Sequence, residues 1–376
     1  MNQNFVYIIN DLRRGGTNNC FYRLIKSSHD KSDIICINKK DYYYDDLTKN
    51  GNKVFFINTS DFLKFISSLI KIICIFKKKN NYIINCWLYK SCLTGFIFSI
   101  FFKEKKLIWN IRHAETNFNI GRLKKFILIR LCAIVSNFKD VNIIYNSYYS
   151  QNKHESLGFN KKNSTVINNC FDTNKYSFKK NKDDFIQKYK IAKGSFIFSM
   201  YGRFHPIKNH KIFFEAISKI IKDYPYIHIF LAGRGITIDN IKLTKLIYFF
   251  KLEKKITLSG LLNEKNLIEA YSASDITVLT SISESFPNVI GESMSCSTPC
   301  IAFDVGDCKS LIGNTGWVTK ENNLTELISS LREAINISKD KKYFEKKRNQ
   351  CNLRITNFYN AEMELSKYKN FYKSCI

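Results

Sequence analysis

The sequence predicts an α/β protein built from two Rossmann-like parallel sheets. Three observations lead there. Short apolar runs of strand length alternate with helical patterns through most of the chain. Its 376 residues suit two domains of ordinary size, each able to bury its own core. Between the two sets of runs, Asn169 to Asp184 is polar, charged and without periodicity, as an interdomain connection is.

In the first half, Phe5 to Asn10 reads as the opening strand. Asp11 to Asn19 then forms a turn, where adjacent Gly15 and Gly16 let backbone approach a ligand without a side-chain clash. It is not the G-x-G-x-x-G dinucleotide fingerprint. An amphipathic helix carrying Phe21, Leu24 and Ile25 follows. Further strands are expected at Ile34 to Ile37, Val54 to Ile57, Tyr82 to Cys86, Lys106 to Ile111, Val141 to Tyr145 and Ser164 to Ile167. With their crossover helices they make one parallel sheet. The fifth ends I-W-N-I-R-H-A-E-T, which sets Arg112 and His113 at a carboxyl edge, where open parallel sheets form their sites. His29, His154 and His228 have no partner pattern and read as satisfied structural histidines.

The second half opens with a strand, Ser195 to Tyr201, followed by G-R-F-H-P-I-K-N-H. Arg203 and Lys208 lie five apart across a turn holding Pro206, so both cations can face one side of it. Two cations at a diphosphate neutralise a leaving group that departs as an anion, without a metal. Strands at His228 to Ala232 and Lys255 to Ser259 continue the sheet, ending in Gly233-Arg234-Gly235 and Gly260-Leu261-Leu262.

The most informative stretch runs from Asp275 to Asp307. Ile276 to Leu279 is a buried strand, Ser281 to Ser285 a polar turn, and Pro287 fits the first position of a helix with Ser285 as its cap. Val289, Ile290 and Met294 fall at helical spacing, and Pro299 to Phe303 is the next strand. A helix N-terminus offers unpaired N–H groups, so a phosphate can settle against Phe286, Asn288 and Val289. Glu284 and Glu292, seven residues between them, frame this turn. Carboxylates do not grip phosphate. They accept hydrogen bonds from hydroxyls, and a diphosphate between two polyol units satisfies both. That is the description of a nucleotide sugar.

Charge and cysteine usage narrow the classes further. The formal net charge is +27, most of it in the first 180 residues, where Lys and Arg outnumber Asp and Glu 30 to 12. Such a surface concentrates polyanions, including anionic lipid or a diphosphate-linked acceptor. The 12 cysteines are scattered, with no C-x-x-C pair, as buried thiols in a reducing compartment are. Phe5 to Ile9 is too short for a secretory signal and runs into Asp11, Arg13 and Arg14. No run reaches the roughly 20 apolar residues of a spanning helix. A cytoplasmic protein is expected, touching a membrane peripherally on its inner face. Two basic amphipathic stretches, Phe62 to Lys79 and Gly121 to Phe138, could lie in an anionic interface; the latter carries Arg122, Lys124, Lys125 and Arg130. An aliphatic stripe more commonly packs a core.

E-S-F-P-N-V-I-G-E-S-M resembles the E-x7-E signature of retaining glycosyltransferases, specifically glycosyltransferase family 4 with its GT-B fold. P-C-I-A-F-D-V-G-D after it and G-R-x-x-x-x-K-N before it fall in the family's order, and the resemblance covers most of the second half. Cys170 stands where the family's V-I-x-N-G-x-D-T segment usually has Gly, which puts a left-handed backbone there in doubt. The resemblance implies two Rossmann-like domains facing each other across a cleft: residues 1–170, a linker at 171–184, residues 185–355, and a C-terminal helix, 356–376, packing back on the first domain. It also implies a retaining, metal-independent transfer, without a cofactor, from a UDP-linked hexose or N-acetylhexosamine to a glycan or lipid-linked glycan acceptor of a surface polysaccharide. Arg203 and Lys208 then hold the diphosphate with the amides from Phe286 through Pro287, Asn288 and Val289. Glu284 accepts from the donor sugar, Glu292 from the ribose, and Gly15, Gly16 and His113 complete the site from the first domain.

Two other classes stand beside this. A non-catalytic nucleotide-sugar-binding or scaffold protein has little reason to keep Glu284, Arg203 and Lys208 together. A nucleic-acid-binding protein accounts for the charge, yet the chain has no basic-aromatic motif, zinc spacing or helix-turn-helix signal. No nucleic-acid partner is expected.

Overall fold

Two parallel sheets carry the chain. In the computed structural model, residues 4–13, 15–27, 31–58, 60–77, 82–102, 105–114, 123–138, 141–180 and 182–375 are described. Arg14, His29, Lys78, Lys79, Gly121 and Arg122, named above, lie outside these residues. The chain divides into two units, Met1–Asn169 with Glu364–Ile376, and Cys170–Met363.

The first unit holds β1 (Asn4–Ile9), β2 (Asp33–Cys36), β3 (Lys53–Phe56), β4 (Tyr82–Trp87), β5 (Lys105–Ile111), β6 (Val141–Tyr145) and β7 (Ser164–Val166). They pair in the order β3-β2-β1-β4-β5-β6-β7, all parallel. The reversal at β1 puts β1 and β4 side by side, with Ile8 opposite Cys86. Both faces are covered, so the strands read as continuous apolar runs. On one face the helices Phe62–Phe76, Tyr89–Ile100 and Leu123–Phe138 bury Ile73, Phe76, Phe98 and Ile129 against Val6, Ile84 and Trp109. The other face is closed by the helix Gly16–Ser27 and by the C-terminal helix Ala361–Ser374, through Phe21, Leu24 and Tyr368.

Polar pins hold that last helix. Arg112 is buried, lies 4.7 Å over the Trp87 ring, and donates to Asn169 at 2.5 Å and to the Tyr368 hydroxyl. Tyr368 donates in turn to Asn110 Oδ1 (2.9 Å), and Asn85 to Tyr372 (2.7 Å). Arg112 is thus a structural residue. Its neighbour His113 is exposed.

His154 is buried with both ring nitrogens satisfied. Its Nδ1 lies 2.7 Å from the Ser150 carbonyl, which accepts only, so that nitrogen carries the proton and Nε2 accepts from the Tyr89 hydroxyl at 2.6 Å. Burial lowers its pKa from 6.5 to about 4. Between those two values the unfolded chain binds the proton and the folded chain does not. Stability is therefore complete above pH 6.5 and falls as the pH drops toward 4, by up to about 1.4 kcal/mol per pH unit. Urea midpoints of the first unit measured at pH 7 and pH 5 are expected to show this loss, and His154→Gln to flatten it.

The second unit holds β8 (Phe196–Tyr201), β9 (Ile227–Ala232), β10 (Ile256–Leu258), β11 (Ile276–Leu279), β12 (Cys300–Phe303) and β13 (Trp317–Thr319). Their order is β10-β9-β8-β11-β12-β13, again all parallel, reversing at β8. Phe198, Val278 and Ile301 sit in a core shared with helices His210–Ile220 and Leu324–Lys339. Asp275, just ahead of β11, accepts from the Ile197 amide (2.7 Å) and from Lys182 Nζ (2.6 Å), tying strand and connection together. All 12 cysteines are free, and burial pushes the Cys86, Cys92 and Cys300 thiols well above their ordinary range. Cys170 does not have a positive φ, so the family's glycine is not required by the backbone here.

Candidate functional site

In the second unit, the loops leaving the carboxyl ends of β8, β9, β11 and β12 are tied to one another. After β8, the Gly202 amide donates to Ala232 and the Phe204 amide to Arg234, both at 2.8 Å. Gly233 makes this possible. It sits at φ +150°, and a Cβ there would lie 1.9 Å from the Gly202 carbonyl oxygen, so any side chain would push the two loops apart.

Pro206–Lys208 forms one 3₁₀ turn, and His205 Nδ1 accepts from the Ile207 amide (3.2 Å). The loop after β11 grips this turn: Thr280 Oγ1 lies 3.1 Å from the carbonyl oxygens of Lys208 and Asn209, and the Ile282 amide donates to Ile207 (2.9 Å). The result is a close pair. Lys208 Nζ is 2.6 Å from Glu284 Oε1, with the two side chains only 18% and 17% exposed. From the other side, Gly306 at φ +59° brings its Cα so near that a Cβ would lie 2.6 Å from both the Glu284 and Ser285 carbonyl oxygens. The Asp307 amide also donates to Ser285 (3.0 Å). Glu284 is thereby fixed by two strand-end loops besides its own.

Glu292 lies on the helix Asn288–Ser295 and is buried. Its Oε2 accepts from the Tyr271 hydroxyl at 2.9 Å, a partner that sequence spacing did not reveal. Burial, with Glu292 beside it, raises the Tyr271 pKa well above its ordinary value, so the phenol stays a donor. Phe286 is a core side chain, 6.3 Å from the Phe171 ring and 5.7 Å from Tyr359, which leaves its backbone for any ligand. Pro287 is the residue before the first helical one, and no side chain caps the helix, in place of the expected Pro287 start and Ser285 cap. The proline ring fixes φ only. With ψ at 102° Pro287 is extended, and Asn288 and Val289 open the helix.

Arg203 is exposed and makes no side-chain hydrogen bond or ion pair with another described residue. The Lys208 stem runs along Gly202, where a Cβ would lie 3.3 Å from Lys208 Cε, so the lysine passes beside the backbone that carries Arg203. A cavity of about 510 Å³ opens beside the carboxyl end of β10, lined by Thr237, Ile238, Tyr248, Leu258 and Gly260 among others.

Gly15, Gly16 and His113 belong to the first unit, after β1 and β5, at one carboxyl edge of its sheet. The His113 carbonyl accepts from Ser150 Oγ (2.7 Å). Neither glycine has a positive φ, and a Cβ at Gly15 meets nothing within 4 Å, so the turn itself does not demand glycine there. Among the described residues no group of three His, Cys, Asp or Glu side chains could hold a metal ion.

This architecture has close counterparts among solved structures. The Anabaena protein Alr3699/HepE, solved with UDP, matches with a TM-score of 0.85 over 99% of this chain and 100% of that one, at 18% identity. The fold is therefore GT-B. Residues 181–350, most of the second unit, match the family Glycosyl transferases group 1. Among curated relatives, the Escherichia coli UDP-Gal:alpha-D-GlcNAc-diphosphoundecaprenol alpha-1,3-galactosyltransferase is 29% identical over 55% of this chain and 53% of that protein. The Bacillus anthracis N-acetyl-alpha-D-glucosaminyl L-malate synthase is 25% identical over 58% and 55%. The chain spans about half the length of these relatives.

Proposed function

We propose that the chain is a retaining, metal-independent glycosyltransferase that moves a hexose or N-acetylhexosamine from a UDP-sugar to a lipid-linked glycan at the inner face of a membrane. The observation that carries this reading is the Lys208–Glu284 pair, one cation and one hydroxyl acceptor 2.6 Å apart at the carboxyl edge of the second sheet. An entering diphosphate takes some of the three lysine donors without releasing the carboxylate. Arg203 and the amides of Asn288 and Val289 add to the anion's binding, Glu292 takes the ribose hydroxyls, and the base lies toward Gly260. Gly15, Gly16 and His113 are assigned the phosphate and sugar contacts that the resemblance implies.

In the reaction the bond from the anomeric carbon to the diphosphate breaks and a bond to the acceptor oxygen forms on the same face. The acceptor proton passes to the departing phosphate oxygen. Positioning and stabilisation of the leaving anion lower the barrier. The Escherichia coli relative, whose name gives a diphosphoundecaprenol acceptor, supports the lipid-linked class.

A panel of nucleotide sugars tests the donor. A UDP-sugar at about 100 times its Kd is expected to stabilise the fold by about 2.7 kcal/mol, read as a raised thermal midpoint. The same sugar is expected to be hydrolysed slowly without acceptor and transferred in EDTA. A thermal shift without hydrolysis or transfer would instead indicate a binding or scaffold protein.

A further inference from the structure

The three helices on one face of the first sheet, Phe62–Phe76, Tyr89–Ile100 and Leu123–Phe138, have apolar residues on both sides. In the last, Ile129, Cys132, Ala133 and Ser136 face the core. Leu123, Ile127, Leu131, Ile134 and Phe138 recur at spacings of three and four residues on the opposite side, 46 to 79% exposed. The first helix adds exposed Phe62, Leu63 and Ile70, and the end of the second adds Ile100 and Phe101. All three helices pack into one core on the same face of the sheet, with Phe76 against Phe98 at 5.7 Å and the third helix alongside the second, so their outer sides turn away from the sheet together. A monomer rarely leaves a contiguous patch of this kind uncovered.

Charge says what covers it. None of the three helices contains an acidic residue, while Lys64, Lys71, Lys124 and Arg130 are exposed among the apolar side chains. Asp61 caps the first helix and pairs with Lys64 at 3.2 Å. A protein partner of ordinary composition has no need of so one-sided a surface. An anionic lipid surface satisfies both features at once: cations meet headgroups, and apolar side chains enter the acyl boundary. Among the described residues no helix is long and apolar enough to cross a membrane, so the contact is lateral.

We propose that this three-helix face docks on an anionic bilayer, with the Leu123–Phe138 helix lying in its interface. The proposal deepens the reading of a lipid-linked acceptor and rests on it for its purpose. Its test needs neither donor nor acceptor.

Vesicles of phosphatidylcholine with phosphatidylglycerol are expected to sediment the protein at low salt, and vesicles of phosphatidylcholine alone to do so far less. Added salt releases only part of the bound protein, because apolar insertion is not screened. Ile127→Glu/Leu131→Glu is expected to weaken partitioning at least about tenfold, a loss that one inserted charge per site accounts for. Its thermal midpoint and its hydrolysis of a UDP-sugar stay unchanged, since both positions are exposed and far in sequence from the second unit. Wild-type binding by this variant, or failure of the wild type to bind phosphatidylglycerol vesicles, overturns the proposal. A dimer in light scattering that the double variant abolishes, without vesicle binding, overturns it in favour of self-association. Independently of that variant, Phe138→Trp should shift its emission to the blue on phosphatidylglycerol vesicles, and an unshifted spectrum counts against insertion. Vesicle binding with no turnover of any UDP-sugar leaves the docking face standing and removes the enzymatic reading instead.

Discussion

Lys208→Ala is expected to lower kcat/KM for sugar transfer by about 10²- to 10³-fold, the range seen when one preorganised donor to a developing anion is removed. The lysine is not a freely waving cation. Its turn is clasped by Thr280 and Ile282, and its stem lies along Gly202, so the ammonium is held before the donor arrives. Preorganisation of this kind costs no reordering during the reaction, which is why its loss falls on the transition state more than on the fold. The stability cost should be modest, on the order of 1–2 kcal/mol, because a pair under a fifth exposed lies between a surface ion pair and a fully buried one. Glu284→Gln keeps the shape and loses the charge. If the pair serves catalysis, each single variant loses activity, and the double variant loses less than the two losses combined. A purely structural pair gives lowered thermal midpoints with kcat/KM per folded molecule within about twofold of the wild type. That outcome would remove both residues from the proposed chemistry.

Most of the strands were legible because they are buried on both faces. β6 and β11 coincide with the apolar runs Val141 to Tyr145 and Ile276 to Leu279, and most of the others differ by a residue or so at an end. Where an end moved, the residue past it often keeps the ladder bond: β10 stops at Leu258, yet the Ser259 amide still bonds to Leu231, and β2 stops at Cys36, yet the Ile37 amide bonds to Ile9. Helix direction was harder. The Leu123–Phe138 helix is apolar nearly all round, and no local pattern says which stripe meets the sheet. Only the β5–β6 crossover decides that Ile129 goes in and Ile127 stays out.

The site divided in the same way. Arg203, Lys208, Glu284 and Glu292 were visible as motif residues, because their chemistry needs those residue types at those spacings. The Lys208–Glu284 contact was not, since 76 residues separate the partners and only the parallel pairing of β8 with β11 brings their loops together. Tyr271 was invisible for a similar reason. It comes from a different helix and reaches Glu292 through packing. Thr280 could have been suspected, because a hydroxyl directly after a buried strand commonly bonds to a neighbouring loop.

Gly233→Ala tests whether that loop assembly, rather than any one side chain, makes the site. The added methyl meets the Gly202 carbonyl carbon at 2.4 Å and its oxygen at 1.9 Å, both backbone atoms that cannot rotate away. The residue would also have to hold φ +150°, a conformation with its own cost for any L side chain. Together these should destabilise the second unit by about 2–4 kcal/mol, read as a lower calorimetric transition. Gly194→Ala is the matched control. It lies in the same unit at φ +80° with nothing within 4 Å of its Cβ, so it bears the conformational cost alone, about 1 kcal/mol. Relief of the Gly233 clash must come from the β8 loop, which carries Arg203 and runs under Lys208. The folded fraction of Gly233→Ala is therefore expected to bind UDP more weakly, whereas Gly194→Ala binds normally. If both variants lost the same stability and kept wild-type UDP affinity, the close approach of the two loops would not be what positions the cations.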